Sequence, residues 1–223
     1  MKFSICLVLI LASGIVFGRD PISGNRYQQL SGVKVQGDAK DQWDKRYQRP
    51  TYVFGKSPAR FLSENYQFIP FESSVLDMGM GEGRNAVFLA QKGYRVTGID
   101  ISSVAVKKAH LLAEEFGVKF KGIVASLNDY KISPGSFDAI ICFYYVDRSL
   151  IERMKSWLKP GGILVYEAHT LSEMKSNKTA EQNPDYYLKE QELLHLFKGM
   201  QILKFEEPRH EKEFRSSIIL QKE

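Results

Sequence analysis

Cysteine is nearly absent from this chain. Of 223 residues only Cys6 and Cys142 are cysteines. A disulfide framework cannot carry the fold, and no thiolate metal cluster is expected. Cys142 lies in a strand-like apolar stretch and reads as a small core residue. Histidine is also sparse. His110, His169, His195 and His210 form no H-x-x-x-H or similar pair, so the common zinc spacing is missing. No Lys/Arg block interleaves with aromatics. The formal net charge is +5 with acids and bases interspersed, and no nucleic-acid partner is expected. No internal repeat and no long low-complexity tract is visible. With 43% hydrophobic residues in 223, the chain can bury one sizeable α/β core but not two large ones.

What is present is concentrated in Val75 to Asn85, VLDMGMGEGRN. An apolar run ends in Asp77. Gly79, Gly81 and Gly83 follow at alternate positions, and a helix begins at Arg84. A strand, a glycine loop and a helix start together make a place where backbone N–H groups face a ligand and no Cβ blocks its approach. The dinucleotide fingerprint G-x-G-x-x-G needs its last glycine at position 84, which is Arg84. The spacing therefore disfavours NAD. A purely structural strand–turn–helix is the alternative.

Tyr94 to Asp100, YRVTGID, alternates and is rich in β-branched residues, as a strand does. It ends in an acid about twenty residues past the first loop glycine, the offset of a ribose-binding carboxylate. The other role open to Asp100 is a helix N-cap, which Ser102 or Ser103 would fill as well. Downstream, the run FDAIICF precedes SWLKPGGILV, where a helix ends, Pro160-Gly161-Gly162 turns the chain and a buried strand starts.

These stretches in this order resemble the class I S-adenosylmethionine-dependent methyltransferases. The resemblance runs from about Asp41 to the C-terminus. VLDMGMGEGRN looks like the cofactor loop, VTGIDIS the ribose segment, FDAIICFYY the fourth-strand segment and LKPGG the turn before the fifth strand. GEGRNAVFLA, DQWDKRY from Asp41 and FGKSP from Phe54 are similar to the tellurite-resistance-type branch of small-molecule methyltransferases. The implied fold is α/β and doubly wound, with a mostly parallel seven-stranded sheet and an antiparallel C-terminal edge. One departure stands out. Many members carry an acid after the third strand to accept the adenine amino group, and Ser126 stands at the aligned position here, with Asn128 or Asp129 nearby.

The resemblance implies S-adenosylmethionine as cofactor. It places Asp77, Gly79, Gly81, Gly83, Arg84 and Asn85 beside the methionine and ribose part, and Asp100 on the ribose. Ile101 and Leu127 would sandwich adenine, near Ser126, and Phe143 would line the site. Arg84 would pair with the cofactor carboxylate or serve only as a helix N-terminal arginine. Tyr144, Tyr145, Arg148 and His169, with Glu167, follow strand ends four and five and are the catalytic candidates near a small-molecule methyl acceptor. Tyr47 and Tyr52 would cover the site. Transfer from a sulfonium needs alignment more than acid–base help, because the leaving group is already activated. The alternative function is an envelope-associated protein that binds the cofactor without transfer.

The N-terminus has one lysine, an apolar run from Phe3 to Phe17 and small residues near Gly18. Residues 1–18 read as a secretory signal peptide or membrane anchor. Lys and Arg are frequent just after the run, which favours an anchor with the domain on the cytoplasmic side as the alternative. Residues 19–40 read as a linker and 41–223 as the methyltransferase domain. Residues 171–185, LSEMKSNKTAEQNPD, read as a polar loop, and two final strands read as the antiparallel edge.

Overall fold

The computed structural model describes residues 39–178, 183–208 and 213–223. The proposed leader and nearly all of the proposed linker therefore lie outside the described residues. Seven strands form one sheet: β1 Ser74–Met78, β2 Arg95–Asp100, β3 Lys121–Val124, β4 Phe137–Phe143, β5 Leu158–His169, β6 Met200–Glu206 and β7 Arg215–Lys222. The spatial order is β3-β2-β1-β4-β5-β7-β6. Strands β1 to β5 are parallel, and β7 runs antiparallel to both of its neighbours. The two final strands thus form the antiparallel C-terminal edge expected from the sequence, with β7 inserted between β5 and β6.

The helices among the described residues are α1 Ala39–Tyr47, α2 Arg60–Asn65, α3 Arg84–Gln91, α4 Ser103–Glu115, α5 Ile151–Trp157, α6 Leu171–Ser176 and α7 Glu192–Leu196. Residues 171–185, read from polarity as loop, contain α6 and a 3₁₀ turn at Pro184–Tyr186. None of the described helices is long and apolar enough to cross a membrane.

The central strands are apolar at almost every position because both faces are covered. Alternation then sorts them into two layers. Leu76, Met78, Ile140, Cys142, Leu164 and Tyr166 pack with Met154 and Trp157 of α5. Val75, Ala139, Ile141, Ile163 and Val165 pack with Phe61 and Leu62 of α2 and Ala86 and Leu89 of α3. Cys142 is a fully buried core residue.

The register pairs Asp77 with Gly98 and Met78 with Cys142, so the carboxyl ends of β1, β2 and β4 open on one edge of the sheet. Helix α4 starts there because Ser102 accepts the Ala105 N–H at 3.1 Å. Helix α3 starts differently. Its cap is Gly83 in the left-handed region at φ 82°. A Cβ there would also lie 2.6 Å from the Ala109 Cβ of α4. Gly83→Ala should therefore destabilise the fold by about 1–3 kcal/mol through overpacking and strain. Urea unfolding measures this, and an unchanged midpoint would show that α3 and α4 separate freely.

Candidate active site

At the carboxyl ends of β1, β2 and β4 lies a cavity of about 470 Å³. This is the crevice position in which open α/β sheets hold ligands. Asp77, Gly79, Gly81, Arg84, Asn85, Asp100, Ile101, Ser126, Leu127 and Phe143 all line it. So do Tyr144, Tyr145 and His169. Gly83, Arg148, Glu167 and Tyr52 do not. Gly83 is turned toward α4 and serves helix packing. Arg148 is held elsewhere. Its guanidinium grips Glu192 at 2.6 and 2.9 Å and the carbonyls of Asp185 and Tyr187 at 3.1 and 2.8 Å. A fork that meets a carboxylate and two carbonyls is fully engaged. Arg148 therefore shapes the Tyr186–Tyr187 wall without facing the cavity.

The glycine loop is held from β2. Asp100 accepts the Gly81 N–H at 2.8 Å through Oδ2 and the Ser102 N–H at 2.8 Å through Oδ1. Each carboxylate oxygen keeps one further acceptor position. The N-cap of α4 is Ser102, which leaves Asp100 to the loop and the cavity. Burial pushes its pKa up to about 6, against the two amide hydrogen bonds.

Asp77 is 1% exposed and its Oδ2 has no hydrogen-bond partner. Burial, reinforced by the Asp100 carboxylate, raises it from 3.8 to about 8, with Arg84 and the Ala86 N–H acting the other way. An orphaned buried acceptor in a cavity wall is an expensive feature that a cationic or N–H-bearing ligand would relieve. The loop beside it fits the same role. Gly79 and Gly81 have φ of 63° and 55°, and the space a Cβ would fill is bounded by Tyr145 at 3.2 Å and the Tyr47 hydroxyl at 2.9 Å. A loop kept open at Gly79 and Gly81, an orphaned acid and a ribose-type acid fit the cofactor that the sequence implies.

Asn85 and Arg84 serve the cover as well as the cavity. Asn85 accepts the Ala59 N–H at 2.9 Å and thereby fixes the start of α2. Arg84 donates to the Phe54 carbonyl at 3.2 Å and lies 5.5 Å above the Tyr144 ring. The cover itself is the segment from α1 to Gly55. Trp43, Arg46, Tyr47 and Phe54 line the cavity from it. The Arg46 guanidinium stacks 5.0 Å from Trp43 and 5.4 Å from Phe54. The segment is pinned by buried Glu82, which accepts the Val53 N–H at 2.6 Å and pairs with Lys108. Lys108 also donates to the carbonyls of Arg49 and Thr51 at 3.0 and 2.9 Å. Tyr47 covers the site as expected. Tyr52 does not line it, because its hydroxyl donates to the Lys108 carbonyl at 3.1 Å.

The opposite wall is aromatic. Tyr144 adopts φ 61° at the end of β4, a conformation uncommon outside glycine. Its hydroxyl donates to Glu167 at 2.6 Å, and Arg215 donates to that hydroxyl at 3.3 Å. Glu167 also accepts from Ser217 at 2.7 Å. The Tyr144 ring sits 5.0 Å from His169. Burial lowers His169 to about 4, with Arg215 and Arg84 acting the same way. It is uncharged at neutral pH. Glu173, Asn177, Tyr186 and Tyr187 complete the wall. Sequence reasoning did not single them out, and it met Trp43 and Phe54 only within the stretches DQWDKRY and FGKSP that resemble the tellurite-resistance-type branch.

Asp77 yields a pH test. Its folded pKa lies above the unfolded one. The stability it contributes is full below pH 3.8 and is lost as pH rises through about 8. Asp77→Asn cannot ionise and removes that loss. Denaturant unfolding of ligand-free protein at about pH 5 and about pH 9 should show wild type losing more stability than the variant. Equal losses would mean that Asp77 titrates as an ordinary carboxylate.

Comparison with known proteins agrees with this geometry. Residues 75–162 match a family described as methyltransferase domain. Phosphoethanolamine N-methyltransferase 1 of Arabidopsis thaliana is 33% identical over 134 residues, 54% of this chain and 27% of that protein. A ubiquinone biosynthesis O-methyltransferase of Xanthomonas axonopodis pv. citri is 33% identical over 123 residues, 52% of this chain and 51% of that protein. The chain thus spans about a quarter and about half of these two relatives. Among solved structures, TehB from Haemophilus influenzae aligns with a TM-score of 0.59 at 18% identity, covering 82% of this chain and 67% of that one. An S-adenosylmethionine-dependent methyltransferase from Methanosarcina mazei aligns at 0.57 and 22% identity, covering 74% and 98%. Glycine loop, strand order and family match coincide: residues 75–162, which carry the loop and strands β1 to β4, match a methyltransferase domain.

Proposed function

We propose that this protein transfers a methyl group from S-adenosylmethionine to a small-molecule acceptor. The observation that carries the reading is the single cavity with two unlike walls. One wall holds the glycine loop, Asp77 and Asp100. The other holds Tyr144, Tyr145, His169, Tyr186 and Tyr187. When bound, the cofactor supplies a methyl group on a positively charged sulfur, already activated for in-line displacement.

The chain's own residues orient and exclude water. Gly79 and Gly81 offer room against the loop backbone, and Asp100, while holding the Gly81 N–H, offers its remaining carboxylate lone pairs to a diol. Ile101 and Leu127 supply apolar surface for a flat base. Alignment of this kind can contribute roughly 7–11 kcal/mol. His169 stays neutral and so adds no repulsion toward a cationic reactant. The Tyr144 hydroxyl is committed to Glu167, so its ring is what the acceptor meets. Trp43 and Phe54 close the cavity from the cover and keep water out. The relatives named above are methyltransferases, which favours transfer over binding alone.

The test is formation of S-adenosylhomocysteine from S-adenosylmethionine across a panel of thiols, amines, hydroxyls and chalcogen oxyanions. Turnover with any member supports the reading. Tight binding without turnover across the panel would favour the binding protein. Asp100→Ala should weaken S-adenosylhomocysteine binding at least about tenfold, since it removes charged acceptors. Unchanged affinity would remove Asp100 from the site.

Residues 1–18 are proposed to export or anchor the chain, on the strength of Lys2 and the apolar run from Phe3 to Phe17. A cytosolic cofactor is better served by an anchor that leaves the domain on the cytoplasmic side. Protease added to intact spheroplasts should then spare the domain. Digestion from outside would assign it to the exported side.

A further inference from the structure

The position where many class I domains place an acid for the adenine amino group is Ser126, which carries no charge. Two residues beside it form a unit that the sequence reading did not connect. Resting on the cofactor reading above, we propose that Asn128 accepts the adenine amino group through Oδ1. Asp147 is the positioning residue that fixes which way the Asn128 amide faces.

Ser126, Leu127, Asn128 and Asp147 all line the cavity, as does Ile101. Asn128 is exposed and Asp147 half-buried. Asn128 Nδ2 donates to Asp147 Oδ2 at 3.0 Å. An ionised carboxylate only accepts, so it selects the NH₂ side of the amide and turns Oδ1 away. Asp147 is ionised. Its burial opposes the charge, but hydrogen bonds from Ser149, Asn128 and Tyr145 outweigh that and lower its pKa.

The remaining question is whether Oδ1 is already satisfied. The Ser149 hydroxyl lies 3.4 Å from Asn128 Oδ1 and 2.6 Å from Asp147 Oδ1. A hydroxyl has one hydrogen, and the shorter charge-assisted bond takes it. Asn128 Oδ1 therefore keeps its acceptor capacity. Asp147 Oδ1 is filled by that hydroxyl and by the Ser149 N–H at 2.9 Å. Asp147 is thus the less open acceptor of the two. The backbone under Asn128 is also held. Arg153 donates to the carbonyls of Asn128 and Tyr130 at 2.7 and 2.8 Å, and the Tyr130 N–H closes back on Ser126 at 2.9 Å. A fixed loop, a fixed amide orientation and an open acceptor are what reading one N–H requires. An uncharged reader costs less to desolvate than the acid it replaces.

Calorimetric titration of the full chain tests this with two probes, S-adenosylhomocysteine and its analogue carrying purine in place of adenine. The analogue lacks only the amino group. Wild type should favour the adenine form by about tenfold. Asn128→Ala should bring the two within about threefold while the purine form binds nearly as before. Asp147→Asn keeps a side-chain acceptor for Ser149, but its new NH₂ donates to Asn128 Oδ1 and turns the Asn128 NH₂ toward the ligand. It should abolish or reverse the preference. A merely structural role would weaken both probes alike. Retention of a tenfold preference in Asn128→Ala would overturn the inference, as would equal binding of both probes by wild type. If wild type binds neither probe, the cofactor reading itself falls.

Discussion

Everything about this site depends on the absence of side chains at Gly79, Gly81 and Gly83. Three separate parts of the chain pack directly against that backbone: Tyr145 over Gly79, the Tyr47 hydroxyl over Gly81 and Ala109 against Gly83. They belong to the turn after β4, the cover and helix α4. A single methyl on the loop would push on one of the three. The glycines therefore do two jobs. Those at 79 and 81 open the cavity to a ligand, while the one at 83 lets two helices meet.

Electrostatics hold the cover over that loop. Glu82 is 4% exposed, yet it sits between Lys108 and the Val53 amide, and Lys108 reaches carbonyls on the cover. Removing one partner of such a pair leaves a stranded charge, so the arrangement is strongly directional even where its net stabilisation is small. Asp44 adds a second attachment by accepting from the Ser102 hydroxyl at 2.6 Å and the Val104 N–H at 3.2 Å. The cover is docked on the same α4 terminus that follows the ribose-type acid. Placement of the lid and placement of Asp100 are thus linked through one short stretch, Asp100 to Val104.

Much of this was legible in the sequence because it is local. The strand–glycine–helix pattern, the acid at the end of β2 and the turn before the inner part of β5 each follow from neighbours in the chain, and all sit where spacing put them. What failed was long-range. Arg148 looked like a cavity residue from its position after β4, but Glu192 lies forty-four residues on and claims it. Glu173 and Asn177 of the wall looked like loop residues because polar residues that face a cavity and polar residues that face water have the same composition. Gly83 could not be separated from its companions, since only the packing of α4 distinguishes a glycine kept for a ligand from one kept for a helix. The acid at 138 shows the same limit. It ties the Ser74 N–H and hydroxyl at 2.8 and 2.6 Å across β1 and β4 and also meets Lys159, roles that no spacing rule reveals.

The place of β7 has a consequence for the order in which this protein can be made. Synthesis delivers β6 before β7, but β6 borders only β7 in the sheet. Until the segment from Arg215 leaves the ribosome, β6 has no ladder to join and β5 keeps an open side. Ile218 and Ile219 then bring apolar side chains to both layers of the core at once. The growing chain therefore carries an unfinished sheet, with the end of β5 at Glu167 and His169 unpaired on one side, until β7 is translated. Such an edge invites pairing with other chains during that interval. Chaperone protection is most needed not while the glycine loop forms but in the interval before β7 joins the sheet.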